Sequence, residues 1–238
     1  MVSMVSPIFE IRPDTKTLLV SWINKRSGVI LRSKKSTIIV DPVGVDATDF
    51  KQADAILITH EHSGHFNPLL ISRIRAIFKS KIIAPRHVVE ELHECVPKDY
   101  LITVFPGSKV EINSVEIFVE KSNHMSIEPV SYIIHFKNGI TVFHTSDSLP
   151  FPEMKNIGEN FDLDIVFCTV GLAPQASYES GVKIAELSRA RVAIPYHTDS
   201  RMSLEIFVEK LFGRNLRGRS LEIFEVFEYK RGVNYEME

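Results

Sequence analysis

The chain has 238 residues, 44% of them hydrophobic, which is enough apolar material for a sizeable core in one undivided soluble domain. Its 28 basic and 30 acidic residues leave a formal net charge of -2, which excludes the basic footprint of a general nucleic-acid binder. Two cysteines without a paired motif, Cys95 and Cys168, argue against a disulfide framework or a thiolate zinc site and fit a reducing cytoplasm.

From the start of the chain, residues 1–7 lack the basic start and apolar run of a signal peptide, Met4 serves equally well as a first residue, and no stretch reaches the length of a membrane span. Short β-branched runs bounded by Pro, Gly, Asp or Lys predict strands at 17–23, 28–32, 37–41, 55–59 and 81–84. A helix is predicted from Asn67, an N-cap, through Pro68 in the first turn and apolar residues at helical spacing to Phe78; a second spans 87–95. Strands follow at 101–105, 109–112, 115–120, 130–136 and 140–144, with Lys137-Asn138-Gly139 as a hairpin turn, and then at 164–169, 191–195 and 222–227. Helices are expected at 177–189 and 204–212. The order, β-rich with helices inserted, occurs twice, dividing the chain into two halves at about residue 125.

Chemistry concentrates in Thr59-His60-Glu61-His62-Ser63-Gly64-His65, which places imidazoles at i, i+2 and i+5 between a strand and a helix. A single histidine is more often a surface or satisfied core residue, but three on one loop converge, and their charged forms repel unless a cation or an acid shares the site. This is metal-ligand spacing. His124, His197 and Asp147 stand in similar strand-to-loop settings. The basic run 214–219 reads as a solvated turn rather than a phosphate or nucleic-acid patch.

With that motif the sequence resembles the metallo-β-lactamase fold superfamily, whose signature is a strand ending in Thr-His-x-His-x-Asp-His, and within it the UPF0173 metal-dependent hydrolases related to ascorbate-6-phosphate lactonases. The likeness continues through Ile39-Val40-Asp41-Pro42, Phe143-His144-Thr145-Ser146-Asp147-Ser148, Met154-Lys155-Asn156-Ile157-Gly158-Glu159, Asp162-Leu163-Asp164-Ile165-Val166 and Val192-Ala193-Ile194-Pro195-Tyr196-His197. It implies an α/β fold, a four-layered αββα sandwich of two facing mixed sheets with helices outside and ligands on loops at one edge. It also implies a first metal site of His60, His62 and His124, a second with His65 and His197, and Asp147 bridging them, with Asp147 and His197 at the chemistry. Metal-generated hydroxide would then attack an ester, lactone, amide or phosphodiester centre. Zn2+, as one or two ions, is the default for such ligands, and Mn2+, Fe2+ or Ni2+ fit the same set.

The sequence departs from the family at several points. Gly64 replaces the motif's Asp, removing a carboxylate from the second site, for which Glu61, Asp199 and Glu128 are the nearby substitutes. Restoring it by Gly64→Asp is expected to strengthen that site where the geometry is retained. Asn24-Lys25 stands where relatives carry Gly-His, so Lys25 is either a binder of an anionic substrate or a solvated loop lysine. Ser146 replaces a Gly before the bridging Asp, a mild change provided φ there is negative. The segment 169–178 also differs, implying an altered substrate pocket. His144 fits either a hydrogen bond behind a ligand or a plain strand end, while His87, His93 and His135 are taken as structural or surface residues. The reading is a cytoplasmic hydrolase of a small, anionic or lactone-like molecule, with no nucleic-acid or membrane partner expected and homo-oligomerisation left open. Its alternatives are a non-catalytic metal-binding regulator or sensor, favoured by Gly64 and Lys25, and a phosphodiesterase or nuclease, to which near-neutral charge lends little support.

Overall fold

Side chains alternate across a strand, so a strand apolar on both faces must be covered on both. The computed structural model, which describes residues 5–214 and 216–233 and so leaves Met4 outside, shows this from the first strand onward. In β1 (Thr17–Trp22), Leu18 and Val20 enter one buried cluster and Leu19 another. The split repeats in β2 (Val29–Arg32), β3 (Thr37–Val40) and β4 (Ala55–Leu57), where Val29, Leu31, Ile38, Val40, Ala55 and Leu57 join the first cluster and Ile30, Ile39 and Ile56 the second.

The second cluster is closed by helices. In α1 (Pro68–Phe78) the Asn67 side chain caps Leu70 N–H, Pro68 opens the first turn and Lys79 ends the helix at φ +59, leaving Leu70, Ile71 and Ile74 buried. After β5 (Lys81–Pro85), α2 (Arg86–Leu92) adds Val88, Val89 and Leu92 to the same layer, and β6 (Leu101–Val104) follows. The other sheet is formed by β7 (Lys109–Ile112), β8 (Val115–Lys121), β9 (Val130–Phe136) and β10 (Thr141–His144), then, beyond α3 (Met154–Asn160), by β11 (Ile165–Thr169) and, after α4 (Tyr178–Ser188), β12 (Val192–Tyr196). The chain closes with α5 (Arg201–Phe212) and β13 (Phe227–Lys230).

The seven-stranded sheet has the order β13-β1-β2-β3-β4-β5-β6 and the six-stranded sheet β12-β11-β10-β9-β8-β7. In both, antiparallel pairing gives way to parallel pairing: at β3 with β4 in one, at β10 with β11 in the other. The inner faces meet in the large cluster, so the two sheets with their helices form an αββα sandwich. Among the bonds that tie the sheets directly are Val130 N–H donating to Thr59 O at 3.0 Å and Tyr132 Oη to Ile58 O at 2.7 Å.

Three expectations change. The chain crosses between sheets after β6, so β7 and β8, placed in the first half, belong to the second sheet. The strand expected at 222–227 starts only at Phe227, because Phe224 adopts φ +66 and turns, its N–H donating to Trp22 O at 2.8 Å, before Phe227 to Lys230 pair with β1. The Met154 to Glu159 segment, read only as a family marker, is helical; a Cβ at Gly158 would stand 2.5 Å from Ser188 O, so glycine lets α3 lie against the end of α4.

Candidate metal centre

In a parallel sheet, the carboxyl ends of strands present loop residues along one edge, the usual place for a ligand. Asp41 follows β3, His60 follows β4, Asp147 follows β10, and His197 follows β12. His124 lies on the loop between β8 and β9. All six residues expected as ligands come together there. His62 Nδ1 lies 3.2 Å from His124 Nε2, and ligand atoms of His60, His62 and His124 fall within 4.8 Å of one another. A second group of that kind is His60, His65 and Asp147. Asp147 stands between them: its Oδ2 is 3.2 Å from His65 Nε2, 3.8 Å from His124 Nε2 and 4.0 Å from His60 Nε2, while Oδ1 is 2.9 Å from His197 Nε2. His197 and His65 meet through their Nε2 atoms at 3.3 Å.

Hydrogen bonds behind the ring nitrogens set which nitrogen faces the centre. Asp41, fully buried, accepts Thr59 N–H at 2.9 Å and the Thr59 and Ser27 hydroxyls at 2.7 and 2.6 Å, and its Oδ2 takes the Nδ1–H of His65 at 2.9 Å. With the Thr59 hydroxyl proton committed to Asp41, His60 Nδ1–H donates to Thr59 Oγ1 at 3.0 Å, which leaves the His60 Nε2 lone pair toward the site. His197 Nδ1 donates to Gly171 O at 3.1 Å. Neither Asp41 nor Ser27 was singled out from the sequence for this role; the available signal was the Asp ending strand β3, which the family likeness quoted without assigning it work.

Electrostatics follow from this packing. Burial, with the charged His65 beside it, pulls His60 down to about 3, so it is a neutral imidazole at physiological pH. Burial alone would lower His65 as well, but the carboxylates of Asp147 and Asp41 on either side raise it to about 9. Burial opposes ionisation of Asp147, yet His197 and His65 outweigh it and hold the carboxyl well below the usual range. Burial also lowers His124.

These residues fit a cation. His60 Nε2 is buried and makes no hydrogen bond, an arrangement that costs free energy unless something binds it, while the buried Asp147 Oδ1 has His197 Nε2 at 2.9 Å. Imidazole nitrogens with one carboxylate are ligands for zinc and other first-row metals.

Other expected residues lie further out. Lys25 is exposed. His144 is buried and donates through Nε2 to Ser27 O at 2.8 Å, so it supports the residue that supports His65 rather than touching a ligand. Ser146 has φ +56, so the condition for a mild change is not met. Of the three substitute carboxylates, Glu128 pairs with Arg86 and Asp199 is exposed, while Glu61 accepts Ile127 N–H at 3.0 Å and comes 3.7 Å from His62. None of the three joins a metal-capable group among the described residues.

Residues 20–197 match the family model described as the beta-lactamase superfamily domain. A UPF0173 metal-dependent hydrolase of Cupriavidus necator is 37% identical over 222 residues, covering 78% of this chain and 75% of that protein. Another, of Saccharolobus solfataricus, is 26% identical over 190 residues, covering 74% and 82%. Among solved structures, a metallo hydrolase of the archaeon Ignicoccus hospitalis superposes with a TM-score of 0.78 at 20% identity, covering 90% of this chain and 99% of that one. A diiron beta-hydroxylase of Streptomyces venezuelae shares the fold, with a TM-score of 0.72 at 14% identity over 91% of this chain and 54% of its own. With its motif on the matched edge and a relative this similar over most of both chains, the protein belongs to the beta-lactamase superfamily domain family, among the UPF0173 metal-dependent hydrolases.

Proposed function

We propose that the protein hydrolyses a small ester, lactone or phosphoester bearing an anionic group, at a centre of one or two metal ions. His60, His62 and His124 would hold one ion, His65 and His197 the other, with Asp147 between them. The observation that carries this reading is His60 Nε2, buried without a hydrogen-bond partner and 4.0 Å from the Asp147 carboxylate of the other sheet. When bound, a metal supplies a water of lowered pKa and polarises the oxygen under attack. The chain's own part is positional: Thr59 and Asp41 orient His60 and His65, Gly171 O orients His197, and Asp147, held ionised, lies where it can accept a proton. Zinc is the first choice from the donor set; iron is the second, since the Streptomyces hydroxylase of this fold carries two irons. The two free cysteines favour a cytoplasmic setting.

Metal content per chain tests the reading, measured by elemental analysis before and after loading with zinc or manganese. His60→Ala and His124→Ala should each abolish tight binding; unchanged metal in both variants would sink the assignment. Gly64, with no substitute carboxylate beside His65 and His197 among the described residues, favours as a second reading a non-catalytic metal-binding protein. One equivalent of metal together with no turnover of a panel of lactones and phosphoesters would support it.

A further inference from the structure

Arg26 lies over Gly64. A Cβ built on Gly64 would stand 3.5 Å from Arg26 Cδ and Nε and 3.6 Å from Cγ, so the arginine stem covers the motif's smallest residue, immediately before His65. The loop that carries Arg26 is firmly built. Asn24 Oδ1 accepts the N–H groups of Arg26 and Gly28 at 2.9 Å each, and Asn24 Nδ2 donates to Asp41 O at 3.2 Å and Val43 O at 2.9 Å. Trp22 Nε1 donates to Arg26 O at 2.6 Å. A Cβ at Gly28 would fall 2.2 Å from Asn24 Nδ2, so glycine there is what lets Asn24 fill the loop. One residue on, Ser27 Oγ reaches Asp41 and His65 at 2.6 and 2.7 Å, which fixes the Arg26 backbone relative to the metal centre.

The guanidinium is exposed and has no hydrogen bond or ion pair among the described residues. The carboxylates of the centre are engaged: Asp41 and Asp147 with the imidazoles, and Glu61 with Ile127 N–H beside His62. A planar cation with five donors, held by a rigid loop and lacking a counter-charge, is suited to a carboxylate or phosphate. We infer that Arg26 is the specificity-determining residue of this centre, binding an oxyanion group of the substrate beside the backbone of Gly64. The inference rests on the metal-centre reading above and sharpens it, replacing the exposed Lys25 as the reader of the anion. It also alters what Gly64→Asp would do: a carboxylate there would meet Arg26 before it could serve a metal.

The test uses the full chain loaded with zinc, as wild type, Arg26→Gln, Arg26→Lys and Gly64→Asp. Zinc content is measured first, and inorganic phosphate and acetate are then titrated calorimetrically, so that the two arms separate a phosphate from a carboxylate preference. Arg26→Gln should weaken the tighter anion about tenfold, equal to about 1.4 kcal/mol, at unchanged zinc content. Arg26→Lys should recover part of the loss. Gly64→Asp, whose backbone lies outside the left-handed region, should reproduce it by occupying the guanidinium. Equal anion affinity in wild type and Arg26→Gln at equal zinc content overturns the role of Arg26 and leaves the metal centre standing. Binding of neither anion by the zinc-loaded wild type, or loss of zinc on Arg26→Gln, also overturns it. Failure of the wild type to take up zinc overturns both readings.

Discussion

Asp41, Ser146 and His197 have φ values of +43, +56 and +58, and each stands at or just beyond the end of a strand that faces the centre. For residues with a Cβ this region costs about 1–2 kcal/mol apiece, and such strain gathers where the surroundings fix the side chain for a purpose. Ser146 offsets part of it through its Oγ, which donates to Thr59 Oγ1 at 2.8 Å, and its carbonyl, which accepts from Tyr196 Oη at 2.9 Å. Ser146→Gly and Ser146→Ala both lose that hydroxyl, so their difference isolates the backbone. The glycine variant should be the more stable by about 1 kcal/mol in denaturant unfolding. His65 gives a second expectation. Raised to about 9 in the metal-free chain, it carries a proton at pH 7 that a metal bound as proposed would have to displace. Metal uptake at pH 7 should therefore release protons, measurable by calorimetry in buffers of different ionisation enthalpy, and affinity should rise with pH until about 9 and then level off. The six residues expected as ligands could be picked out because clustered imidazoles are chemically specific and the family resemblance supplied their roles, and the structure brings all six to one edge. Ser27 and Thr59 were not legible, since hydroxyl residues are common and only three-dimensional proximity shows which ones orient a ring.

Strand β13 was the element least legible in the chain. Alternation from Leu221 to Tyr229 signals an extended segment but does not mark the turn at Phe224, which depends on a bond to Trp22 from far back in the sequence. What holds β13 is also remote. Asp164, fully buried at the start of β11, accepts Thr141 N–H at 2.9 Å, Tyr229 Oη at 2.8 Å, and Arg231 Nε and Nη2 at 2.9 and 2.6 Å. Arg231→Ala would leave that carboxylate buried with part of its partners gone and should cost about 2 kcal/mol. Arg191→Ala should cost roughly 0.5 kcal/mol or less, because its short bond is to the exposed Asp162 and Asp164 is 3.8 Å away. Urea unfolding of the two variants checks the contrast, and equal losses would mean that the fork on Asp164 has no special weight. Helices α1, α4 and α5 were easier to foresee because apolar residues recur at helical spacing within their own sequence, with Asn67 marking the start of α1; the Ser200 cap, which starts α5 at Arg201 rather than 204, was not read.

Across the whole molecule, both sheets change from antiparallel to parallel pairing before delivering their ligands, so that His60, His62 and His65 come from one sheet and His124, Asp147 and His197 from the other. An ion held as proposed, by ligands from both sheets, would favour the folded chain over the unfolded one. At a hundredfold excess over its Kd it should raise stability by about 2.7 kcal/mol, seen as a metal-dependent rise in Tm that His60→Ala removes. Two rounds of strands followed by helices were legible in the sequence, and the family resemblance turned them into a sandwich; the crossing point was not legible, because β6 and β7 lie only a few residues apart and a short loop can join strands of one sheet or of two. The bond from Val130 N–H to Thr59 O adds a consequence of its own. It stitches the sheets beside the ligands, whereas Tyr229 and Arg231 clasp them at Asp164, ahead of the strands that lead to the ligands. Stripping the ion should therefore part the sandwich as a book opens, from one margin only: deuterium would enter at Val130 soon after chelation, while the amide of Thr141 at the spine stays closed.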